Sequence, residues 1–569
     1  NGNAILYVPD LTAETAYEAD ISCLNVFGKN RIKPMLALIG NNPANISINR
    51  LYTDDGITVA GYKDANAIEY TRYGYKVEVS GLPVDTSTLG KKTITYTLKD
   101  RNNEVVMIIT RDVIVNEGPI LMAREDVAYA IGAKRANKLT YTSDKIRTIT
   151  FIDTTQDNIP TTYLDTWDVS RDLNTSVTAW ITRSTQDSSM YDLYIGGDQG
   201  VMASSGNKLF MDYIKLVSIN NISRLDVSSV TDMSYMFAND KKLPSVDISR
   251  FTTTKVTDMS FMFKECNTFT TLDVTKLGTS SVTNMESMFE GCSGLTALNV
   301  SGFTTTNVLN MKNMFKNVSG ITSLTFTNWD TSKVRNMSGL FDGCTKLTSI
   351  DLAKLTTPSV TDMSAMFRNC SFITTLDVTK LDTSSVTNMS NMFANVRRVS
   401  KLDVSGFNTS NVTDMNNMFS NMTYIQTLDL TNFKVKAGTD VTEMFDGMNS
   451  MEILVLGTDF NVLDGTNMFK GCNNLTTIIT KKNISSENNA MILSQDINVN
   501  QNAILYVPNK TAESYFEKAT NYEAVFGADR VRPILELIGD ESVKVVRNST
   551  YTDAGAKVAG FTKADESKY

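Results

Sequence analysis

Phenylalanine returns at a fixed interval through the middle of this chain, at 237, 263, 289, 315, 341, 367, 393, 419 and 445, eight steps of 26 residues, and once more at 469. A unit of this size cannot enclose a core of its own, so such units bury their apolar faces only by stacking on one another. Methionine stands four and one residues before most of these Phe, as in Met259 and Met262 or Met285 and Met288. That spacing predicts a single helical turn with three apolar side chains on one side. Nine residues after each Phe comes an apolar residue, usually with another two further on, as in Leu272 and Val274. Period two is the strand period. The residues between, Asp247, Asp273, Asn299, Thr325, Asp351, Asp377, Asp403 and Asp429, therefore belong to the opposite, solvated face.

One strand and one helical turn in 26 residues falls within the roughly 20 to 29 residues of leucine-rich-repeat coils. The expected fold is mainly β and multidomain, with a leucine-rich-repeat solenoid of about ten 26-residue coils, capped at its ends and flanked by β-sandwich domains. Seventeen of the 27 Met fill the two positions before Phe. A metal-binding reading of that column fails because Leu340 and Val441 replace Met in it, swaps that a packed core tolerates and a ligand set does not. Five Cys (266, 292, 344, 370, 472) share the slot three residues after Phe with Val318, Val396, Met422 and Met448, so the slot is apolar and its thiols are expected to be buried and free.

Composition removes whole classes of chemistry. The chain has no His, which excludes Ser-His-Asp and Cys-His nucleophiles and imidazole metal sites. Its net charge of −8 offers no basic footprint for nucleic acid. No apolar run is long enough to span a bilayer. The first residues, Asn1-Gly-Asn-Ala-Ile5, show neither an initiator Met nor a secretion signal, and read as part of something longer. Residues 3–40 and 502–539 align without a gap at an offset of 499, with 20 identities in 38 positions. One module has recurred.

The run Leu402-Asp-Val-Ser-Gly-Phe-Asn-Thr-Ser-Asn-Val-Thr-Asp-Met-Asn-Asn-Met-Phe419 resembles the BspA-like leucine-rich repeats of bacterial surface proteins. That resemblance implies an extracellular, cell-attached protein of the adhesin type with no catalytic residues. The hairpin Thr93 to Thr110, with Tyr52-Thr-Asp-Asp-Gly56 and Val84 to Gly90, resembles bacterial Ig-like domains. The expected organisation is a C-terminal cap of a preceding solenoid (1–33), an Ig-like sandwich (34–117), an N-terminal solenoid cap (118–215), with a helix over Glu125–Arg135 and a strand over Ile146–Ile152, the solenoid (216–501), its C-terminal cap (502–532), and the start of a second Ig-like domain (533–569).

Three functions compete at this stage. The favoured one is a non-catalytic structural or adhesive surface protein, one window of a tandem array of covalently joined or docked neighbouring copies forming a filament or stalk. The alternative is an adhesin recognising a host protein or glycan through the solenoid strand face, with Asp247, Asp273, Asn299, Asp351, Asp377, Asp403 and Asp429 as candidate binding residues. A carboxylate glycosidase is the enzyme least hurt by the absence of His, but no acidic pair stands out from its repeat column. Gly196-Gly-Asp-Gln-Gly200 lacks the Lys-Ser/Thr of a phosphate loop and reads as a turn. No enzyme activity, cofactor, metal, nucleic-acid partner or membrane span is expected. Stacked Asp side chains are expected to raise one another's pKa.

Overall fold

The computed structural model describes residues 6–8, 16–17, 19–20, 26, 32–47, 51–59, 62–63, 74–116, 119–121, 141–155, 157–171, 175–324, 326–327, 329–461, 465–482, 484, 499–518, 526, 530–537 and 556–558. The expected helix over Glu125–Arg135, Thr325 and Cys23 lie outside the described residues. The molecule is mainly β and built from several modules.

The 26-residue units stack, but their Met-x-x-Met-Phe segment is not a helical turn. Alternate backbone N–H groups point to the next coil: Met337, Gly339, Phe341 and Gly343 donate to the carbonyls of Asp362, Ser364, Met366 and Arg368 at 2.8 to 3.0 Å. The intervening N–H groups close three-residue turns within the coil, Leu340 to Met337, Asp342 to Gly339 and Cys344 to Phe341, at 3.1 to 3.2 Å. This requires left-handed backbone at two places in each coil. The residue two before each Phe has φ of 53 to 62° and the residue two after it 57 to 78°. The latter column is Asn or Gly except at Asp212 and Glu265, and Asn and Gly are the residues that tolerate positive φ at the third position of a turn. Helical spacing and this chain of turns both bring positions −4, −1 and 0 to one side, which is why the apolar pattern alone misidentifies the backbone.

The Met and Phe so positioned are buried completely or nearly so. The Phe rings form an unbroken column from Phe210 to Phe469, with centroids 5.3 to 5.9 Å apart and planes within 21° of parallel. Each such contact adds about 0.5–1.5 kcal/mol beyond area burial. Phe210 adds a coil that the Met pattern misses. Gly206, Lys208, Phe210 and Asp212 donate to carbonyls of Asp232, Ser234, Met236 and Ala238, with Gly206 and Leu209 where Met would stand. The Cys of the stack are buried free thiols, and each donates to the carbonyl of the preceding coil's Phe, as Cys344 does to Phe315 at 3.2 Å. Burial pushes the Cys344 thiol pKa up to about 12.

The predicted strand in each coil is extended for about three residues and then turns, with the Leu277 N–H closing onto the Val274 carbonyl at 3.1 Å. That is too short for a ladder in most coils. A ladder of successive coil strands forms at the C-terminal end, where Thr427–Leu430, Ile453–Leu456, Thr477–Thr480, Ile504–Val507 and Val531–Pro533 make a five-stranded parallel sheet, and the strand of the Phe210 coil, Ser218–Asn220, pairs with Ile146–Asp153. Elsewhere the coils are tied by parallel bridges at the Asp and Asn five residues before Phe, from Asp232 to Asp440. A buried Thr column adds to this: Thr357 Oγ donates to the Asp382 carbonyl at 2.8 Å, and Thr331, Thr383 and Thr409 repeat the bond.

Ahead of the stack, Ile146–Asp153, Asp165–Asp168, Val177–Arg183, Tyr191–Gly197 and Ser218–Asn220 form a mixed five-stranded sheet whose core is continuous with that of the coils. The Gly196–Gly200 segment is a strand end and turn. Its Gln199 N–H donates to the buried Asp153 carboxylate at 2.9 Å, so the turn already holds an anion of the protein itself.

Residues 36–115 form a separate core between two sheets, Leu36–Leu38, Ile57–Val59 and Tyr62–Lys63 in one, Ala44–Ser47, Val105–Asn116, Gly90–Lys99 and Lys76–Ser80 in the other. It is not wholly antiparallel, because Ala44–Ser47 runs parallel to Val113–Asn116. Arg111, fully buried, lies 2.8 Å from Asp54 and donates to the carbonyls of Asn41, Ile39 and Gly56. Tyr96 donates to the same carboxylate.

Candidate functional site

Two long faces of the stack present polar side chains. On the first, Asp247, Asp273, Asn299, Asp351, Asp377, Asp403 and Asp429 all stand exposed between buried apolar neighbours, one per coil. Their carboxylates do not face a ligand space. Each turns back on its own chain to accept the backbone N–H two residues on, from Ser249 at 3.0 Å, Thr275 at 2.9 Å, Ser301 at 3.0 Å and Thr379 at 3.0 Å, for example. Hydroxyls add a second bond at 2.6 Å from Thr275 and Thr379.

These bonds overturn the expectation that the stacked carboxylates raise one another's pKa. Asp247, Asp273, Asp377 and Asp403 are all held below the usual carboxylate range, chiefly by the hydroxyl two residues on and then by that residue's N–H. The neighbouring carboxylate, where it registers, is a minor opposing effect, as Asp377 is for Asp403. Among the described residues, no three Cys, Asp or Glu side chains gather in a group able to hold a metal ion.

The second face follows the left-handed residues just after Phe. The residues two and four after Phe in successive coils line a shallow groove of about 640 Å³, running from Glu265 and Asn267 to Asn395 and Arg397. Neutral amides and hydroxyls dominate its middle, with Asn317, Ser319, Asn369 and Ser371 among them. Gly343 keeps it open: a Cβ there would lie 2.2 Å from Asn317 Oδ1. The amides order one another, Asn395 donating to Asn369 at 3.0 Å and Asn369 to Asp342 at 3.1 Å.

Much of the charge beside the groove is engaged within the protein, with Glu265 and Arg397 lining its two ends. Glu290 lies between Lys264 at 3.1 Å and Lys316 at 3.9 Å, and Arg368 holds Asp342 through two bonds at 3.1 and 2.6 Å. The groove's rim carries exposed aromatics at the fifth position after Phe. Phe372 is 43 % exposed with the Arg398 guanidinium 4.0 Å from its ring centre, and Tyr424, two coils beyond Phe372 and one past the last lining residue Arg397, is 60 % exposed. Ser371 and Arg397, adjacent in sequence to Phe372 and Arg398, line the groove itself. This edge lies apart from the candidate binding residues of the strand face. The signal available was the succession Phe372, Arg398, Tyr424 at 26-residue steps.

Comparison with known proteins bears on both modules. Residues 36–115 match the Ig-like domain of bacterial surface proteins, and the coils match, at 205–324, 292–375, 320–399 and 373–482, a family described as Mycoplasma protein of unknown function, DUF285. The first of those matches begins one coil before the Met pattern, at the unit built on Phe210. Neither is an enzyme family. No curated protein matches the chain. Among solved structures, the crystal structure of a TLR13–ssRNA13 complex aligns over 62 % of this chain and 67 % of that one, at 12 % identity and a TM-score of 0.16. The chain thus joins tandem coils to a module of bacterial surface proteins, and among the described residues no helix is long and apolar enough to cross a membrane.

Proposed function

We propose that this chain is a non-catalytic structural and adhesive protein of the bacterial cell surface, one window of a tandem array that forms an extracellular filament or stalk. In this reading the stack is a leucine-rich-repeat solenoid of the BspA-like type and the Ig-like domain is a spacer between successive solenoids. One observation carries it. The pairing of Leu6–Val8 with Ile32–Pro34 recurs as that of Leu505–Val507 with Val531–Pro533, in the same register 499 residues later. The first strand pair of the Ig-like domain recurs in the same way, Leu36↔Val59 becoming Leu535↔Val558.

The junction of strand pair to Ig-like sheet is thereby repeated, and that of solenoid end to strand pair is present at the second copy. The second copy of the parallel pair continues the sheet of the stack, Ile479 lying opposite Tyr506. In the first copy, the Tyr7 hydroxyl donates to the Val106 carbonyl of the Ig-like domain at 2.7 Å, which ties the two modules together. Neighbouring copies of the same modules are the partners this arrangement supplies.

The strand-face adhesin finds less support, because its carboxylates are already engaged by their own chain. Electron microscopy of native surface material tests the array. Beaded filaments with an axial repeat on the order of 100 Å are expected, from about ten coils near strand spacing plus one sandwich of comparable length. Compact particles with no axial repeat would overturn it.

A further inference from the structure

The polar groove and its aromatic rim are accounted for by nothing in the filament role. A stack that only spans distance needs a filled core and a solvated surface, whereas this edge holds an open channel across successive coils with large apolar rings standing out of it. We infer that the groove from Asn317 to Asn395, rimmed by Phe372, Arg398 and Tyr424, is a binding site for an extended, uncharged polysaccharide chain.

Three properties select that ligand class. Charge comes first. Arg368 pairs with Asp342 and two lysines share Glu290, while the channel's own lining from Asn317 to Ser371 is amides, hydroxyls and Gly343, with Arg397 at one end, so over that stretch it presents amides and hydroxyls to an incoming molecule. An acidic polymer would find no row of free cations here to exchange for its counter-ions. A neutral chain of hydroxyls finds alternating donors and acceptors.

Backbone engagement comes second. A peptide adding to a sheet edge needs a row of unpaired N–H and C=O groups. Along this channel most of the N–H groups are taken. The N–H of Asn317 donates to Asp342 in the next coil at 2.7 Å, and that of Asn369 to Ala394 at 2.8 Å. Those of Thr345 and Ser371 close onto Gly343 and Asn369 within their own coils at 2.8 Å. The contacts left to a ligand therefore come mainly from side chains, which suits a ligand read by its hydroxyls.

The rim comes third. Exposed rings offer flat apolar platforms to the C–H faces of sugar rings, and large exposed aromatics flanking a polar cleft mark binding surfaces rather than packing. The groove's direction fits as well. It crosses the coils, so a linear polymer laid in it meets similar small polar edges at successive steps, Asn317-x-Ser319, Gly343-x-Thr345 and Asn369-x-Ser371, before Asn395-x-Arg397. Repetition in the protein is matched by repetition in the ligand.

This inference rests on the surface reading for its biological setting, but its test does not. Affinity electrophoresis of the whole 569-residue chain through gels containing dextran, laminarin or chitohexaose-bearing polymer, with heparin as the acidic counterpart, reads binding directly. Retardation by at least one neutral polymer is expected. Tyr424→Ala should weaken it about tenfold, the loss usual for an aromatic anchor. Thr345→Trp, which places a ring in the channel, should abolish it. Asp377→Ala, on the strand face, should leave it unchanged, and matching circular dichroism spectra and melting temperatures confirm that each variant is folded. Migration unaffected by all three neutral polymers, retardation by heparin alone, or retardation that survives both Tyr424→Ala and Thr345→Trp would overturn the proposal. Beaded filaments seen by microscopy together with such a result would leave the array standing and the groove unoccupied by glycan.

Discussion

The Ig-like module and the coil stack solve the same problem, holding a mostly β chain together, by opposite means. In the module, a single buried ion pair between Arg111 and Asp54 gathers the carbonyls of Ile39, Asn41 and Gly56 and the hydroxyl of Tyr96 into one centre, around which both sheets close. In the stack no position is unique. Each Phe, Met and Thr repeats its neighbour's contacts one coil away, so stability is a sum of equal nearest-neighbour steps. The module therefore concentrates its vulnerability in a few atoms, and the stack spreads it thinly.

The largest effect should come from the concentrated centre. Asp54→Ala leaves the Arg111 guanidinium buried without its counter-charge, a loss of about 3–5 kcal/mol, which is most of the stability of a domain this small. In denaturant, an early transition belonging to the module should separate from that of the stack. Combining Asp54→Ala with Arg111→Met should restore part of the loss, since removing both charges avoids the unpaired one but takes the Arg111 donor from the Ile39 and Asn41 carbonyls. A single unaltered transition in the Asp54→Ala protein would break the contrast.

Next comes a cut through the distributed core. Phe341→Ala removes a fully buried ring stacked between Phe315 and Phe367 and should cost about 3 kcal/mol or slightly more. The damage should stay local. Amide hydrogen exchange is expected to rise in the coils around 315–367 and to stay unchanged in residues 36–115. Exchange rising throughout both modules would show them to be one cooperative unit.

Thr357→Val asks whether the polar column matters beside the apolar one. The Thr357 hydroxyl donates to the Asp382 carbonyl from a buried site, and its loss should cost about 1 kcal/mol by chemical denaturation. The stack tolerates such a step already, because Val435 occupies this column in a later coil. A loss as large as that of Phe341→Ala would mean that hydrogen bonds, and not rings, carry the stack.

These contrasts also explain what was legible in the sequence. The stack announced itself because its constraint is periodic: Phe and Met columns need no three-dimensional knowledge to see. The backbone path did not, since positions −4, −1 and 0 fall together in a helical turn and in this chain of turns alike. The Asn and Gly two residues past Phe were the discriminating evidence, as residues suited to positive φ. The coil at Phe210 escaped because it lacks both Met. The Asp54–Arg111 centre and the groove were illegible for another reason. Each is made by residues distant in sequence, and neither Arg111 nor Ser319 differs in type from residues that merely face water.

The smallest expected effect belongs to the exposed Asp column. Asp247, Asp273, Asp377 and Asp403 have folded pKa values depressed below the unfolded carboxylate value of about 3.9, chiefly by the hydroxyl two residues on. A depressed folded pKa means that the ionised form is the one the fold favours. Its contribution is fully present above the unfolded pKa and is lost as pH falls through the folded one. Asp414 has the opposite sign, because burial first and then Asp440 raise its pKa, so its contribution is lost as pH rises. Replacing the four exposed Asp by Asn isolates the charge, since Asn299 shows that an amide accepts the same N–H bond, from Ser301 at 3.0 Å. Subtracting the variant's melting temperature from that of the parent should give a small positive difference at neutral pH that fades below about pH 4. Solvent screening keeps that difference below the effects of Phe341→Ala and Thr357→Val. A difference that grows on acidification would mean that the carboxylates repel one another more than their own chain holds them, and would restore this face as a place where a bound cation is needed.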